Sequence, residues 1–138
     1  MTQSPILNRY TLGDMEVIYL RDDAGHIGMC MIPAHMEEAP AQWAGRMDHL
    51  VQLHVRGDAL AGAAANGHTL CGTQTSQRFC YRDQAVESAD GATVIRTTLS
   101  DDRDHRVIHL VTHKQGARAI SIRTIFENGG DAPITLEN

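Results

Sequence analysis

The chain has few aromatic residues, few cysteines and no run of like charge. Phe, Trp and Tyr make up 4% of its 138 residues, with one tryptophan, Trp43. Carbohydrate-binding modules that offer aromatic platforms to sugar rings draw on more of them. The cysteines, Cys30, Cys71 and Cys80, are odd in number and form no Cys-x-x-Cys pair. That argues against a disulfide framework and a thiolate zinc site, and it fits a reducing cytoplasm. Lys and Arg number 12 against 17 Asp and Glu, a formal net charge of -5, and the basic residues stand singly along the chain. A nucleic-acid footprint is not expected from such a pattern. No apolar stretch approaches the roughly 18 residues of a membrane span. The segment after Met1, Thr2-Gln3-Ser4-Pro5, has no basic or apolar region of an export signal. A cytoplasmic protein without membrane or nucleic-acid partners is expected. Gly-x-Ser-x-Gly elbow, P-loop and dinucleotide fingerprint are all missing, and no cofactor is expected.

What is present is enough apolar material, 42% of the residues, to build the core of one domain. In the second half, turn signals recur at intervals of a dozen or so residues: Asp90-Gly91, Asp101-Asp102-Arg103-Asp104, Gln115-Gly116 and Asn128-Gly129-Gly130-Asp131. Successive antiparallel hairpins space their turns in this way. Thr93–Leu99, Arg106–Thr112 and Ala119–Phe126, rich in β-branched residues, are the strands between them. In the last, Ile120, Ile122 and Phe126 point one way and Ser121 and Arg123 the other, so one face covers a core. In the first half Met15–Leu20 and Ile27–Ile32 form a hairpin around Asp22-Asp23-Ala24-Gly25. Leu50–Arg56 reads as a strand with Val51, Leu53 and Val55 inward, ended by the Gly57-Asp58 turn. Another strand follows at Phe79–Val86. Pro40–Met47 could be helical, and Ala59–Asn66, rich in Ala and Gly without a hydrophobic period, reads as a loop. The fold class is all-β, an antiparallel sandwich of two packed sheets built from a hairpin meander, in one domain over residues 1–138.

Eight histidines invite a metal reading. His105, His109 and His113 stand four apart, but in a strand that spacing separates them by about 13 Å, too far to share one ion. Exposed or hydrogen-bonded imidazoles are expected instead, and no metal site. The acidic cluster Asp101, Asp102, Asp104 has Arg106 where a calcium loop needs glycine, and reads as a solvated hairpin tip. Nothing local lowers the pKa of Cys71 or Cys80, which are expected to be small buried hydrophobes. No catalytic residue emerges.

The segment Asp48–Asp58, continuing through Asn66-Gly67-His68-Thr69-Leu70, resembles the N-terminal β-supersandwich of family 36 α-galactosidases. Those domains carry a Leu-Val-Gln strand, a Gly-Asp turn and a Gly-x-Thr stretch, then a Ser/Thr-rich segment and an aromatic strand ending in Gln. Here the last two correspond to Thr73–Ser76 and Phe79–Gln84. The closing run Ile122–Glu137, a strand, an Asn-Gly turn and a returning strand, is similar to the same family, and together these cover roughly the last two thirds of the chain. The chain departs from the family at Ala59, Leu60, His68 and Cys71, where relatives often carry an Arg.

The resemblance implies a galactose-mutarotase-like β-supersandwich and the N-terminal, non-catalytic domain of a retaining α-galactosidase. Its partners would be a catalytic (β/α)8 barrel beyond residue 138 of the same polypeptide, α-galactosides, and further copies in a homo-oligomer. Both catalytic carboxylates would belong to the barrel, so the 138-residue chain alone would be inactive. Asp58 is the candidate sugar contact by resemblance, against a role in capping its own turn. Trp43 is the other candidate substrate contact, against a packing or interface anchor. The alternative reading is a free-standing carbohydrate-binding β-sandwich module.

Overall fold

A computed structural model of the chain describes residues 5–36, 48–58 and 72–137. Trp43, Cys71, the Pro40–Met47 helix expectation and the Ala59–Asn66 loop lie outside them. The described residues form an all-β structure of two antiparallel meanders. The first sheet is β1 (Ile6–Leu12), β2 (Met15–Arg21) and β3 (Ile27–Pro33), in that order; the second is β4 (Cys80–Ala89), β5 (Ala92–Ser100), β6 (His105–Lys114) and β7 (Ile120–Asn128), also in chain order. The turns follow the residues that permit them. Asp90 and Gly91 both take positive φ, 53° and 72°, as a two-residue loop matched to strand twist requires. Gly13, at φ 66°, turns β1 into β2.

The sheets face each other over one core. Leu12, Val17, Tyr19 and Ile27 from the first meet Ile95, Leu99, Val107 and Val111 from the second, with Leu53 and Phe79 between them. Strand β2 is buried on both faces: Val17, Ile18 and Tyr19 are at 0% exposure and Leu20 at 1%. This is why its sequence is a continuous apolar run instead of an alternation. Its other face, Ile18 and Leu20, packs with Ile32, Ile6 and Cys30.

A polar row crosses the same interior. Gln84 on β4 accepts hydrogen bonds at Oε1 from Asn8 Nδ2 and the Tyr10 hydroxyl of β1, each 2.7 Å, and its Nε2 donates to Thr97 Oγ1 on β5 at 2.7 Å. One side chain thus ties the edge strands of both sheets together. Tyr10 stands edge-on to Tyr19 at 6.0 Å. Burial, with the neighbouring Tyr10 adding to it, pushes the Tyr19 phenol up to about 12, although the Thr97 hydroxyl acts the other way. Thr97 lies near enough to act on the phenol, yet the Tyr19 hydroxyl completes no hydrogen bond.

Four expectations are corrected. Leu50–Arg56 belongs to no sheet; only Val55 bridges to Leu136. Leu53 is nevertheless buried, and Leu50 and Val51 pack against the core. The single buried face expected of β7 is incomplete: Ile120 and Phe126 reach the core, while Ile122 is 51% exposed. The second sheet has one strand more than the sheet it faces, and β7 is its outer edge. The histidines of β6 alternate with Val107 and Val111 and so face inward. His105 and His113 are hydrogen-bonded as expected, to Asp101 Oδ2 at 2.7 Å and to the Ala117 carbonyl at 2.9 Å; the exception is His109, buried with no partner on Nδ1. Cys30 and Cys80 are free and only half-buried.

Burial holds the His109 imidazole below its ordinary range. An unfolded chain takes up that proton near pH 6.5. The contribution of a neutral His109 is therefore intact above about pH 6.5 and is lost as the pH falls below it. Urea unfolding of the wild type and of His109→Leu should give a stability difference that moves against the wild type between pH 7 and pH 5. A difference that stays constant over that range would contradict the buried, unpartnered histidine.

Candidate functional site

Segments 48–58 and 72–79 are joined by side-chain hydrogen bonds beside the core. Segment 48–58 leaves β3's neighbourhood, and segment 72–79, which includes a 3-10 turn over Ser76–Arg78, leads into β4. Between them lie residues 59–71, so these two segments hold the roots of that stretch. Leaving a sheet deprives a backbone of its ladder, and buried N–H and C=O groups must be satisfied elsewhere. Here side chains replace the ladder. Ser76 Oγ accepts from Leu53 N–H at 2.8 Å and lies 3.2 Å from the Leu53 carbonyl. The Thr73 hydroxyl reaches that same carbonyl and Ser76 Oγ, and accepts from Ser76 N–H at 3.0 Å. Gln52 Oε1 accepts from Gly72 N–H at 3.0 Å. Thr73 and Ser76 are buried, at 0% and 1% exposure, so the bonds their hydroxyls make are sheltered from water.

Asp58 sits at the turn that ends segment 48–58. Its Oδ2 accepts from Val55 N–H at 3.0 Å and its Oδ1 from the Thr75 hydroxyl at 2.8 Å. Gly57, at φ 92°, makes the turn, which Asp58 N–H closes onto the Val55 carbonyl. Both carboxylate oxygens therefore hold local structure. Trp43 lies outside the described residues. From the far end of the chain, Arg56 N–H donates to the Thr135 carbonyl and Glu137 N–H to the His54 carbonyl, at 3.0 and 2.8 Å.

Histidines fasten these two segments to the first sheet. The His26 and His49 rings stack at 4.5 Å. His49 Nδ1 meets the Ser76 carbonyl at 3.0 Å. His26 lies between Asp22 Oδ2 on its Nδ1 side and the Gln77 carbonyl on its Nε2 side, each 2.9 Å away. Both neighbours are acceptors, so the ring satisfies both only when both nitrogens carry protons. Burial alone would lower its pKa, but the Asp22 and Gln77 hydrogen bonds outweigh burial and hold it above the usual imidazole range. Asp22, against its own burial, is held low by the His26 ring and backbone. A raised histidine stabilises fully below about pH 6.5, and that contribution fades as the pH climbs through the folded-state value.

The hairpin between β5 and β6 closes with the same device. Asp101 Oδ1 accepts from His105 N–H at 2.9 Å and its Oδ2 meets His105 Nδ1 at 2.7 Å, as Asp22 Oδ1 accepts from His26 N–H at 2.8 Å. The pattern Asp-x-x-x-His recurs at 22–26 and 101–105, and sequence reading saw only polar turns there. The Asp101 side chain is 1% exposed. Burial would raise its pKa, but the Arg103 and His105 backbone bonds and the His105 ring together hold it below the ordinary range. The aspartate expected at a solvated hairpin tip is in fact the buried latch of that hairpin.

Among the described residues no group of three or more His, Cys, Asp or Glu side chains converges as metal ligands, and no helix is long and apolar enough to cross a membrane. No family model, no curated protein and no solved structure matches the chain.

Ser76→Ala should lower the unfolding free energy by about 1–3 kcal/mol, because a buried Leu53 N–H loses its acceptor. Thr75→Val leaves Asp58 Oδ2 on Val55 N–H and should have a smaller effect. Equal stabilities for wild type and Ser76→Ala in urea unfolding would contradict a structural role for this hydroxyl.

Proposed function

We propose that this chain is the N-terminal, non-catalytic β-sandwich domain of a retaining α-galactosidase, supporting a catalytic barrel and the assembly of an oligomer. One observation carries the reading. The stretches that resemble the family, 48–58 and 72–84, lie on either side of residues 59–71 in sequence, and their polar side chains bond to one another's backbone (Ser76 with Leu53, Gln52 with Gly72). Such a frame suits a domain that supports a loop at the edge of another domain's pocket. It offers little to acid–base catalysis, because Asp22 and Asp101 are held ionised and Asp58 has both oxygens engaged. The two catalytic carboxylates of such an enzyme, about 5–5.5 Å apart for retention, would stand on the barrel. A cytoplasmic setting goes with the same reading.

Asp58 is the proposed sugar contact by resemblance, with capping of its turn as the rival role, and Trp43 is the other candidate contact, with a packing or interface anchor as its rival role. Expression of the reading frame from Met1 through a following barrel should yield p-nitrophenyl α-galactoside hydrolysis with retained anomeric configuration, and residues 1–138 alone should yield none. In that enzyme Asp58→Asn should raise KM if the residue touches sugar, and lower only the melting temperature if it caps the turn. A stop codon after Asn138, or a long product inactive on α-galactosides, would overturn the proposal.

A further inference from the structure

The outer face of the second sheet, turned away from the core, gathers arginines that stand far apart in sequence. Arg82 is the extra residue of the β4 bulge between Tyr81 and Asp83. Arg96 is on β5, and on β6 Arg106 pairs across the ladder with Ser100. With Asp83, Thr98 and Ser100 these three arginines line a groove of about 450 Å³.

Its chemistry is that of an anion site. Arg82 Nε donates to Ser100 Oγ, which fixes the guanidinium at the groove and leaves its terminal N–H groups free. Among the described residues no carboxylate lies within ion-pair distance of Arg82 or Arg96, and Asp83 lines the groove without pairing to either. Arg106 reaches Glu127 at 3.6 Å with side chains 57% and 47% exposed, a long, solvated contact that holds little energy and yields to a stronger acceptor. Three guanidinium groups set against Asp83 in the groove and Glu127 beside Arg106 leave one positive charge in excess, in a chain whose net charge is -5. Planar guanidinium forks bind oxyanions through paired N–H donors, and the Thr98 and Ser100 hydroxyls at the floor add neutral donors.

We propose that this groove binds a tetrahedral oxyanion, the phosphate or sulfate group of a small ligand, through Arg82, Arg96 and Arg106. The excess positive charge favours an anion, and the concave shape, limited to one cluster, fits a single anionic group better than an extended polyanion. The inference stands independently of the α-galactosidase reading, since no residue of the groove takes part in the hydrogen bonds that join segments 48–58 and 72–79.

The test is a titration of the chain with inorganic phosphate, and separately with sulfate, at constant ionic strength maintained with chloride, following the arginine Nε–H resonances by NMR. Saturable shifts confined to Arg82, Arg96 and Arg106, with half-saturation on the order of millimolar, are expected for a single anion held by a few ionic bonds. Acetate at the same ionic strength should bind more weakly. The double variant Arg96→Gln/Arg106→Gln should weaken phosphate binding at least roughly tenfold, while Arg118→Gln, at a remote and 90% exposed arginine, should change nothing. Arg96→Lys retains the charge without the fork and serves if the double variant misfolds; a severalfold loss is expected of it. Linear, non-saturating shifts would overturn the proposal, as would equal phosphate affinity in wild type and in the folded variants.

Discussion

The Ser76 hydroxyl, bonded to both backbone groups of Leu53, is the contact on which the joining of segments 48–58 and 72–79 depends. Leu53 must lie between the sheets to fill the core beside Phe79, yet no strand runs beside it to take its N–H and C=O. Burying an unsatisfied amide costs about 1–3 kcal/mol, so an apolar residue could sit there only if a polar side chain came with it. Ser76 and Thr73 supply that partner from the segment that starts β4. Segment 48–58 is thereby fixed to segment 72–79, Asp58 and Gln52 extend the fastening in both directions, and the two roots of residues 59–71 are set in place.

The same rule, that polar groups accompany the core, governs the rest of the interior. Gln84 joins Asn8 and Tyr10 to Thr97 across the two sheets, and the buried Asp101 latches its hairpin through His105, four residues on. Such bonds are worth less than the apolar burial around them, but they are directional, and direction sets how one sheet lies on the other. Among the described residues two interior groups stand outside the rule, the Tyr19 hydroxyl and His109 Nδ1. Both lie beside Thr97, the ladder partner of His109, and both have pKa values that burial moves toward the neutral form.

Much of the fold was legible in the sequence. Strands β2 to β7 follow from β-branched and apolar runs between Gly, Asp and Asn turns, because those residues act locally. Strand β1 escaped notice since Asn8 and Arg9 interrupt its apolar pattern, and the reason Asn8 is there, Gln84, lies 76 positions away. Leu50–Arg56 has the alternation of a strand but pairs only at its end, where Val55 bridges Leu136, which no local pattern reveals. The site was less legible for the same cause. Arg82, Arg96 and Arg106 look scattered along the chain and share a groove only through the register of β4, β5 and β6. Asp101 looked like a turn residue, yet its side chain is 1% exposed and bonded to the His105 ring and to the Arg103 and His105 N–H groups.

The claim that side chains, in place of a ladder, hold segments 48–58 and 72–79 together is tested most directly by native-state hydrogen exchange. The amides of Leu53, Val55 and Ser76 bond to Ser76 Oγ, Asp58 Oδ2 and Thr73 Oγ1. They should exchange in the same slow class as the ladder amides of β5 and β6, opening only with the whole domain. Exchange of these three at the rate of exposed turn amides such as Gly116 and Arg118 would mean that the hydroxyl and carboxylate bonds do not hold these segments, and would contradict the account.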